Sequence, residues 1–358
     1  MLTMIIGGSG SGKSLFAEEY VIQVCKEIEK TTSSCQCVYI ATMIPSGSET
    51  LKKIERHREQ RQGKDFLVKE QYQDIFATLE SRKDGEEKNE VEGTKSSVVL
   101  LECLSNLVAN ELYDQDRIEQ WINEKKAQKR DLWAKYIVKK IVRDIQILEK
   151  QCDHLVVVTN DVFREGFGIW EGTKEYLWCL GAINQELVKD ATSCYEVVAG
   201  IPICIKGEQQ ASWYGEKEVE ESMAKRILVL GGAFQGKKEW IKQRLLEAEE
   251  KKTQWKLIEH LEDIIKEQVT TYCRECFDKN YEVEEKKIFT QIWKKLEKMC
   301  IKEKNYIFIV NEIGAGMVPM GKEERIYREM VGRITCEIAK QADGVYRVVA
   351  GCPMKVKK

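Results

Sequence analysis

Residues 7–14 read GGSGSGKS and follow MLTMII at residues 1–6. The stretch fits G-x-x-x-x-G-K-S from Gly7 to Ser14. It stands after an apolar run that reads as a strand and before Ser14 to Lys30, whose Phe16, Tyr20 and Val24 share one helical face. Strand, glycine loop and helix in that order are the context the motif requires. Main-chain N–H groups of Gly7, Gly8, Ser9, Gly10, Ser11 and Gly12 can wrap a phosphate, and the helix N-terminus adds positive potential. The motif directs Lys13 to the β and γ phosphates of a nucleotide and Ser14 to Mg²⁺.

Outward from the loop, VYIAT (38–42), VVLLE (98–102) and VVVTN (156–160) are further buried-strand patterns separated by helical ones. Continuous apolar runs of this kind predict an α/β fold: a P-loop NTPase-like, mainly parallel sheet with helices on both faces. Trp133, Ile137, Ile141, Ile145 and Leu148 predict one long amphipathic helix between Asp116 and Lys150. Residues 82–97, RKDGEEKNEVEGTKSS, are charged and predict a surface loop.

The sheet is predicted to occur twice. CYEVVAGIPICIK (194–206) and VYRVVAGCPMKVK (345–357) share seven of thirteen residues at an offset of 151, which also relates VVVTND at 156 to IFIVNE at 307. A second loop, GGAFQGKK (231–238), follows ILVL but lies 224 residues after the first, so the second copy is shorter by 224 less 151, or 73 residues. KLIEHLEDII (256–265) lines up with VLLECLSNLV (99–108) and matches Glu259 to Glu102, so the missing stretch runs mainly from VYIAT to the charged loop. The expected organisation is a complete lobe at 1–206, a polar, acidic linker at 207–224 and a shortened, degenerate repeat at 225–358. Lys238 stands where Ser14 would bind Mg²⁺, which predicts poor Mg-nucleotide binding by the second copy.

A length of 358 residues suits two domains, and 32% charged and 43% hydrophobic residues with 4 Pro describe a helix-rich globular protein. A net charge of −2 gives no electrostatic case for nucleic acid or an anionic membrane surface. MLTMIIGG lacks a basic leader and no apolar run reaches spanning length, so a cytoplasmic protein without an integral membrane segment is expected. The 13 Cys are scattered in apolar stretches and read as reduced core thiols, while Cys35 with Cys37 and Cys273 with Cys276 lack the partners a zinc site needs.

Glu102 ends a strand where this kind of fold places its metal-directing acid, although a capping or solvated carboxylate reads equally well; its repeat partner Glu259 favours the site. His57 lies in LKKIERHREQRQGK (51–64). A neutral imidazole can attack a nucleotide α-phosphate, and flanking arginines can hold the triphosphate. By spacing alone, however, a histidine on a charged helix is more commonly a surface residue.

The order GGSGSGKS, VYIAT, ETLKKIERHREQR, VVLLECLSNLV, VVVTND, VVAGIPICIK resembles the bifunctional adenosylcobinamide kinase / adenosylcobinamide-phosphate guanylyltransferase family of cobalamin synthesis. The resemblance spans nearly all of residues 1–206 and extends to the second copy through GGAFQGK, VNEIGAGMVPMGKEERIYREMVGRI and VYRVVAGCPMKVK. It implies phosphorylation of adenosylcobinamide with ATP or GTP and Mg²⁺, followed by transfer of GMP from GTP through His57. It further implies nucleotide contacts from Ala41, Thr42 and Met43, from Arg58, Glu59, Gln60 and Arg61 beside the histidine, and from the acidic Glu70 and Glu102. The family assembles into oligomers with sites near subunit contacts, which suggests either a homo-oligomer or a second lobe standing in for a neighbouring subunit.

The two copies divide the family's signature. The first has NDVFREGFGIWEG where the family carries NE-V/I-G-x-G-x-V-P, and the second keeps the latter in Asn311, Glu312, Gly314, Gly316 and Pro319. That departure leaves open a small-molecule kinase without guanylyltransferase activity, or a non-catalytic nucleotide-binding relative.

Overall fold

A computed structural model describes residues 1–32, 34–79, 96–125, 130–163, 171–207, 225–232, 235–242, 255–279, 283–300, 305–316, 319–349 and 352–357. Residues 208–224 of the expected linker, 82–95 of the charged stretch and 164–170 of the altered first-copy motif lie outside these.

Seven strands form the first sheet: β1 (Leu2–Gly7), β2 (Cys35–Ala41), β3 (Phe66–Glu70), β4 (Ser96–Glu102), β5 (His154–Asn160), β6 (Ser193–Val198) and β7 (Ile201–Lys206), in the order β3-β2-β4-β5-β1-β6-β7. All neighbours pair in parallel except β6 and β7, an antiparallel hairpin turned by Ala199 and Gly200, both at positive φ. The helices are α1 (Lys13–Glu29), α2 (Gly47–Arg61), α3 (Leu104–Leu112), α4 (Gln115–Lys125), α5 (Arg130–Lys150) and α6 (Glu171–Asp190).

Both faces of this sheet are covered, which is why its strands read as unbroken apolar runs. Met4, Leu101 and Val157 pack under α3, α5 and α6, while the alternate residues Ile5, Leu100 and Val158 pack under α1. Each such fully buried side chain contributes roughly 1.5–3 kcal/mol.

Two sequence expectations are corrected here. The single helix expected over 116–150 is two, α4 and α5. The Trp121 and Trp133 rings lie 5.6 Å apart, whereas twelve residues of straight helix would separate them by about 18 Å. The charged stretch 82–97 gives up its last two residues, since Ser96 and Ser97 already pair with Cys35 and Gln36 as part of β4.

The second sheet comprises β8 (Arg226–Gly231), β9 (Trp255–Ile258), β10 (Asn305–Asn311), β11 (Gly344–Val349) and β12 (Cys352–Lys357), in the order β12-β11-β8-β10-β9. It carries α7 (Lys237–Trp240), α8 (Leu261–Asp278), α9 (Glu285–Met299) and α10 (Lys322–Gln341). β8, β9, β10, β11 and β12 stand as β1, β4, β5, β6 and β7 stand in the first sheet, down to the final antiparallel hairpin. Among the described residues, β2 and β3 have no counterpart.

The lobes share apolar packing. Val198, Ala199 and Ile201 of the first hairpin belong to the core formed by α8, α9 and α10. Arg347 bridges Glu196 at 3.0 Å and Glu312 at 3.1 Å. No helix among the described residues is long and apolar enough to cross a membrane.

Candidate functional site

The loop leaves β1 at the carboxyl edge of the sheet and enters α1 through Gly10 and Gly12, at φ 68° and 86°. Gly12 occupies the N-cap of α1, and a Cβ there would lie 2.9 Å from the Cα of Gly200, so glycine is required both by conformation and by space. Lys13 is buried and its Nζ donates to the carbonyl of Gly8 at 3.1 Å. Burial lowers its proton affinity, while Glu102 and Glu329 are among the groups that oppose this. The Ser14 hydroxyl donates to Glu102 Oε1, and the Tyr39 hydroxyl donates to Oε2 at 3.1 Å. Glu102 is thus aimed at the loop.

Behind it, Ala41 ends β2 level with Glu102 and Glu70 on the flanking strands. Thr42 Oγ1 donates to Cys103 O and accepts from Cys103 N, both at 2.8 Å, tying the end of β2 to that of β4. Met43 follows, half-buried.

On α2, Ile54, His57 and Arg61 recur at positions i, i+3 and i+7 and so share the inner face. Arg61 is buried with its guanidinium 3.9 Å above the Tyr39 ring, and its Nε and Nη1 have no hydrogen-bond partner. His57 Nδ1 is likewise buried and unpartnered. Burial lowers the proton affinity of the imidazole below its ordinary value. Glu102 and Glu329 pull it up and Arg56 and Arg61 push it down, so near pH 7 the ring is neutral.

Arg58, Glu59 and Gln60 occupy the exposed side of the helix. Arg58 pairs with Glu70 at 3.1 Å, Tyr72 donates to the same carboxylate at 2.8 Å, and Glu59 pairs with Lys286 of the second lobe. The residues grouped by resemblance therefore fall into two sets. Lys13, Ser14, His57, Arg61 and Glu102 converge, whereas Arg58, Glu59 and Glu70 make their ion pairs at the surface.

Sequence reasoning marked Gly314 and expected the second lobe to stand beside the first, but it missed Tyr39, which reads only as a strand residue, and Glu329 and Cys336 of the second lobe. Ser9 N donates to Gly314 O at 2.8 Å, Cys336 Sγ donates to Gly10 O at 3.3 Å, and Glu329 meets both Ser9 and Arg56.

Residues 3–205 and again 243–356 match the family model described as cobinamide kinase / cobinamide phosphate guanyltransferase. The chain belongs to that family. Its relatives include the bifunctional adenosylcobalamin biosynthesis protein CobU of Escherichia coli strain K12, 29% identical over 214 residues, and its namesake in Salmonella typhimurium strain LT2, 26% identical over 216. Each alignment takes in 58% of this chain and 100% of the relative. Among solved structures, an ATPase domain matches with a TM-score of 0.30 and 10% identity, over 55% of this chain and 68% of that one. A DnaB-like replicative helicase matches with a TM-score of 0.30 and 11% identity, over 55% of this chain and 46% of that one. Both likenesses are too slight to bear on fold or activity.

Two matched segments agree with a tandem cobinamide kinase / guanyltransferase architecture, and the second loop falls between them. There Lys238 Nζ sits 2.6 Å from Glu259, the counterpart of the Ser14–Glu102 contact. Lys237 Nζ donates to Gly231 O at 3.2 Å, Gly232 O at 2.7 Å and Asn311 Oδ1 at 2.6 Å.

Proposed function

We propose that residues 1–206 form the catalytic lobe of an adenosylcobinamide kinase and adenosylcobinamide-phosphate guanylyltransferase, and that residues 225–358 are its shortened, degenerate repeat. The first reaction moves the γ-phosphoryl group of ATP or GTP to the hydroxyl of the aminopropanol arm. The loop N–H groups and Lys13 position the triphosphate and neutralise charge that builds on it. Ser14 and Glu102 bring a hydroxyl and a carboxylate oxygen together, the hard donor pair Mg²⁺ prefers, and would hold that ion; when bound it supplies further charge neutralisation. In the second reaction a neutral ring nitrogen of His57 attacks the α-phosphorus of GTP and pyrophosphate leaves. The phosphate of adenosylcobinamide phosphate then displaces the histidine to give adenosylcobinamide-GDP. Arg61, with two unpartnered buried donor atoms beside His57, supplies positive charge for that exchange.

The observation that carries this reading is the buried, unpartnered Nδ1 of His57 within electrostatic reach of the same Glu102 that touches the loop through Ser14. Nucleoside triphosphates as substrates and thirteen unbridged cysteines support a cytoplasmic setting. Incubation with GTP labelled at the α-phosphate, followed by denaturation, should leave an acid-labile adduct on the chain that His57→Ala abolishes. An adduct that persists in His57→Ala would overturn the assignment. Corrinoid phosphorylation without any adduct would reduce the protein to a kinase, and nucleotide binding without turnover would make it a non-catalytic relative.

A further inference from the structure

We infer that Glu329, on the second lobe, is a positioning residue for the guanylyl transfer: through Arg56 and Ser9 it holds the His57 helix against the glycine loop. This rests on the reading that His57 takes up GMP.

Along α10, Glu329, Gly332, Arg333 and Cys336 recur at i, i+3, i+4 and i+7 and form one face. That face lies on the loop. A Cβ at Gly332 would come within 2.7 Å of the Gly10 backbone, and Cys336 bonds the Gly10 carbonyl. Glu329, the carboxylate of this face, has its two oxygens on different parts of the first lobe. Oε2 accepts from the Ser9 hydroxyl at 3.4 Å, and Oε1 pairs with Arg56 at 3.1 Å. Arg56 Nη1 also pairs with Glu285 of α9 at 2.8 Å, and Arg333 lies 3.5 Å from the same Glu285. Two arginines and two carboxylates thus close the seam between lobes, with the Glu329 and Arg56 side chains 15% and 19% exposed.

Adjacent residues on a helix point about 100° apart, so gripping Arg56 fixes the rotation of α2 and with it the direction of His57. A neutral group at position 329 removes one of the two carboxylates that grip Arg56 and frees the helix to turn. The loop itself would keep its shape, because its seating uses the main-chain bond from Ser9 to Gly314 and close glycine contacts with the α10 backbone, the Glu329 carbonyl among them, none of which needs the Glu329 side chain. The two reactions should therefore separate.

The test uses the full chain with Glu329→Gln, Glu329→Asp and Arg56→Gln, measuring single-turnover labelling from α-labelled GTP beside corrinoid phosphorylation and thermal stability. Glu329→Gln should label at least tenfold more slowly, while phosphorylation, which feels only the lost charge near Lys13, falls by no more than about threefold; Glu329→Asp should recover part of the labelling loss, and Arg56→Gln should reproduce it from the other side of the contact. Labelling at the wild-type rate in Glu329→Gln and Arg56→Gln overturns the inference, as does a parallel fall of both activities that follows lost stability. If one variant fails to fold, the other reads the same contact. A wild-type chain that forms no adduct overturns the guanylyl-transfer reading and this inference with it, whereas a wild-type adduct untouched by either variant overturns this inference alone.

Discussion

The two glycine loops stand on equivalent strands, yet their charged groups are used in opposite ways. In the first, Ser14 presents a hydroxyl to Glu102, and Lys13 Nζ donates to a single loop carbonyl, that of Gly8. In the second, Lys238 lies on Glu259, and Lys237 donates to two carbonyls and to Asn311, which itself donates from Nδ2 to Glu262. One lysine stands on the carboxylate equivalent to the proposed Mg²⁺ ligand Glu102, and the other is tied down by protein acceptors. A loop that satisfies its own cations has little unmet charge to offer a phosphate, so the second copy has lost more than a hydroxyl: its ligands have been replaced from within.

The largest effect that would sharpen this contrast comes from the paired lysines. Lys13→Ala should lower corrinoid phosphorylation by about 10³-fold or more, since the removed cation neutralises charge in the transition state. Lys237→Ala should leave turnover within threefold and cost about 1–2 kcal/mol of stability in urea, from acceptors left short of a donor. Comparable loss of turnover in both variants would mean that the second loop works.

A smaller difference lies at the starts of β5 and β10, where His154 and Asn305 occupy equivalent positions. His154 is buried, its Nε2 bonded to Thr3 Oγ1 at 2.8 Å, and burial drops its pKa to about 4. The unfolded chain takes up that proton near the ordinary value of about 6.5 and the folded chain only near 4. Stability is therefore intact above about pH 6.5 and falls as pH drops, by about 2 kcal/mol at pH 5. Asn305 instead accepts from the main-chain N–H of Lys225 at 2.7 Å and does not titrate. His154→Asn should flatten the urea-measured stability between pH 7 and 5, and an unchanged slope would show that other groups carry the acid sensitivity.

What could be read in the sequence was what local pattern encodes. The loop, the four apolar strands of the first sheet and the duplication follow from spacing and periodicity within short windows. The division into α4 and α5 did not, because its signal is a Trp121–Trp133 contact and not a break in period. Nor did the cluster in which Lys140 meets Asp74, Glu111 and Asp144 at 2.7, 2.6 and 2.8 Å while Arg117 meets Asp74 and Glu111. Its members come from four segments that only the fold assembles. His57 was indistinguishable by spacing from a surface residue, and resemblance alone singled it out. The seam of Arg56, Glu285 and Glu329 joins positions more than 200 residues apart, beyond any window.

The smallest expected effect tests whether one residue separates the loops. Lys238 and Glu259 are 42% and 38% exposed, so their ion pair is screened and worth under about 1 kcal/mol. Lys238→Ser restores the residue type of Ser14 and leaves Glu259 free to face it. Even so, Lys237 stays bound to its three acceptors, and Asn311 stays bound to Glu262 through its main-chain N–H and its Nδ2, so the cation that should meet a phosphate remains occupied. Calorimetry in a Lys13→Ala background, with and without Lys238→Ser, should then show no Mg²⁺-dependent ATP binding that Lys238→Ser adds. Binding added by Lys238→Ser would mean that the Lys238–Glu259 pair alone had closed the loop, and that the three acceptors of Lys237 do not hold it against a phosphate.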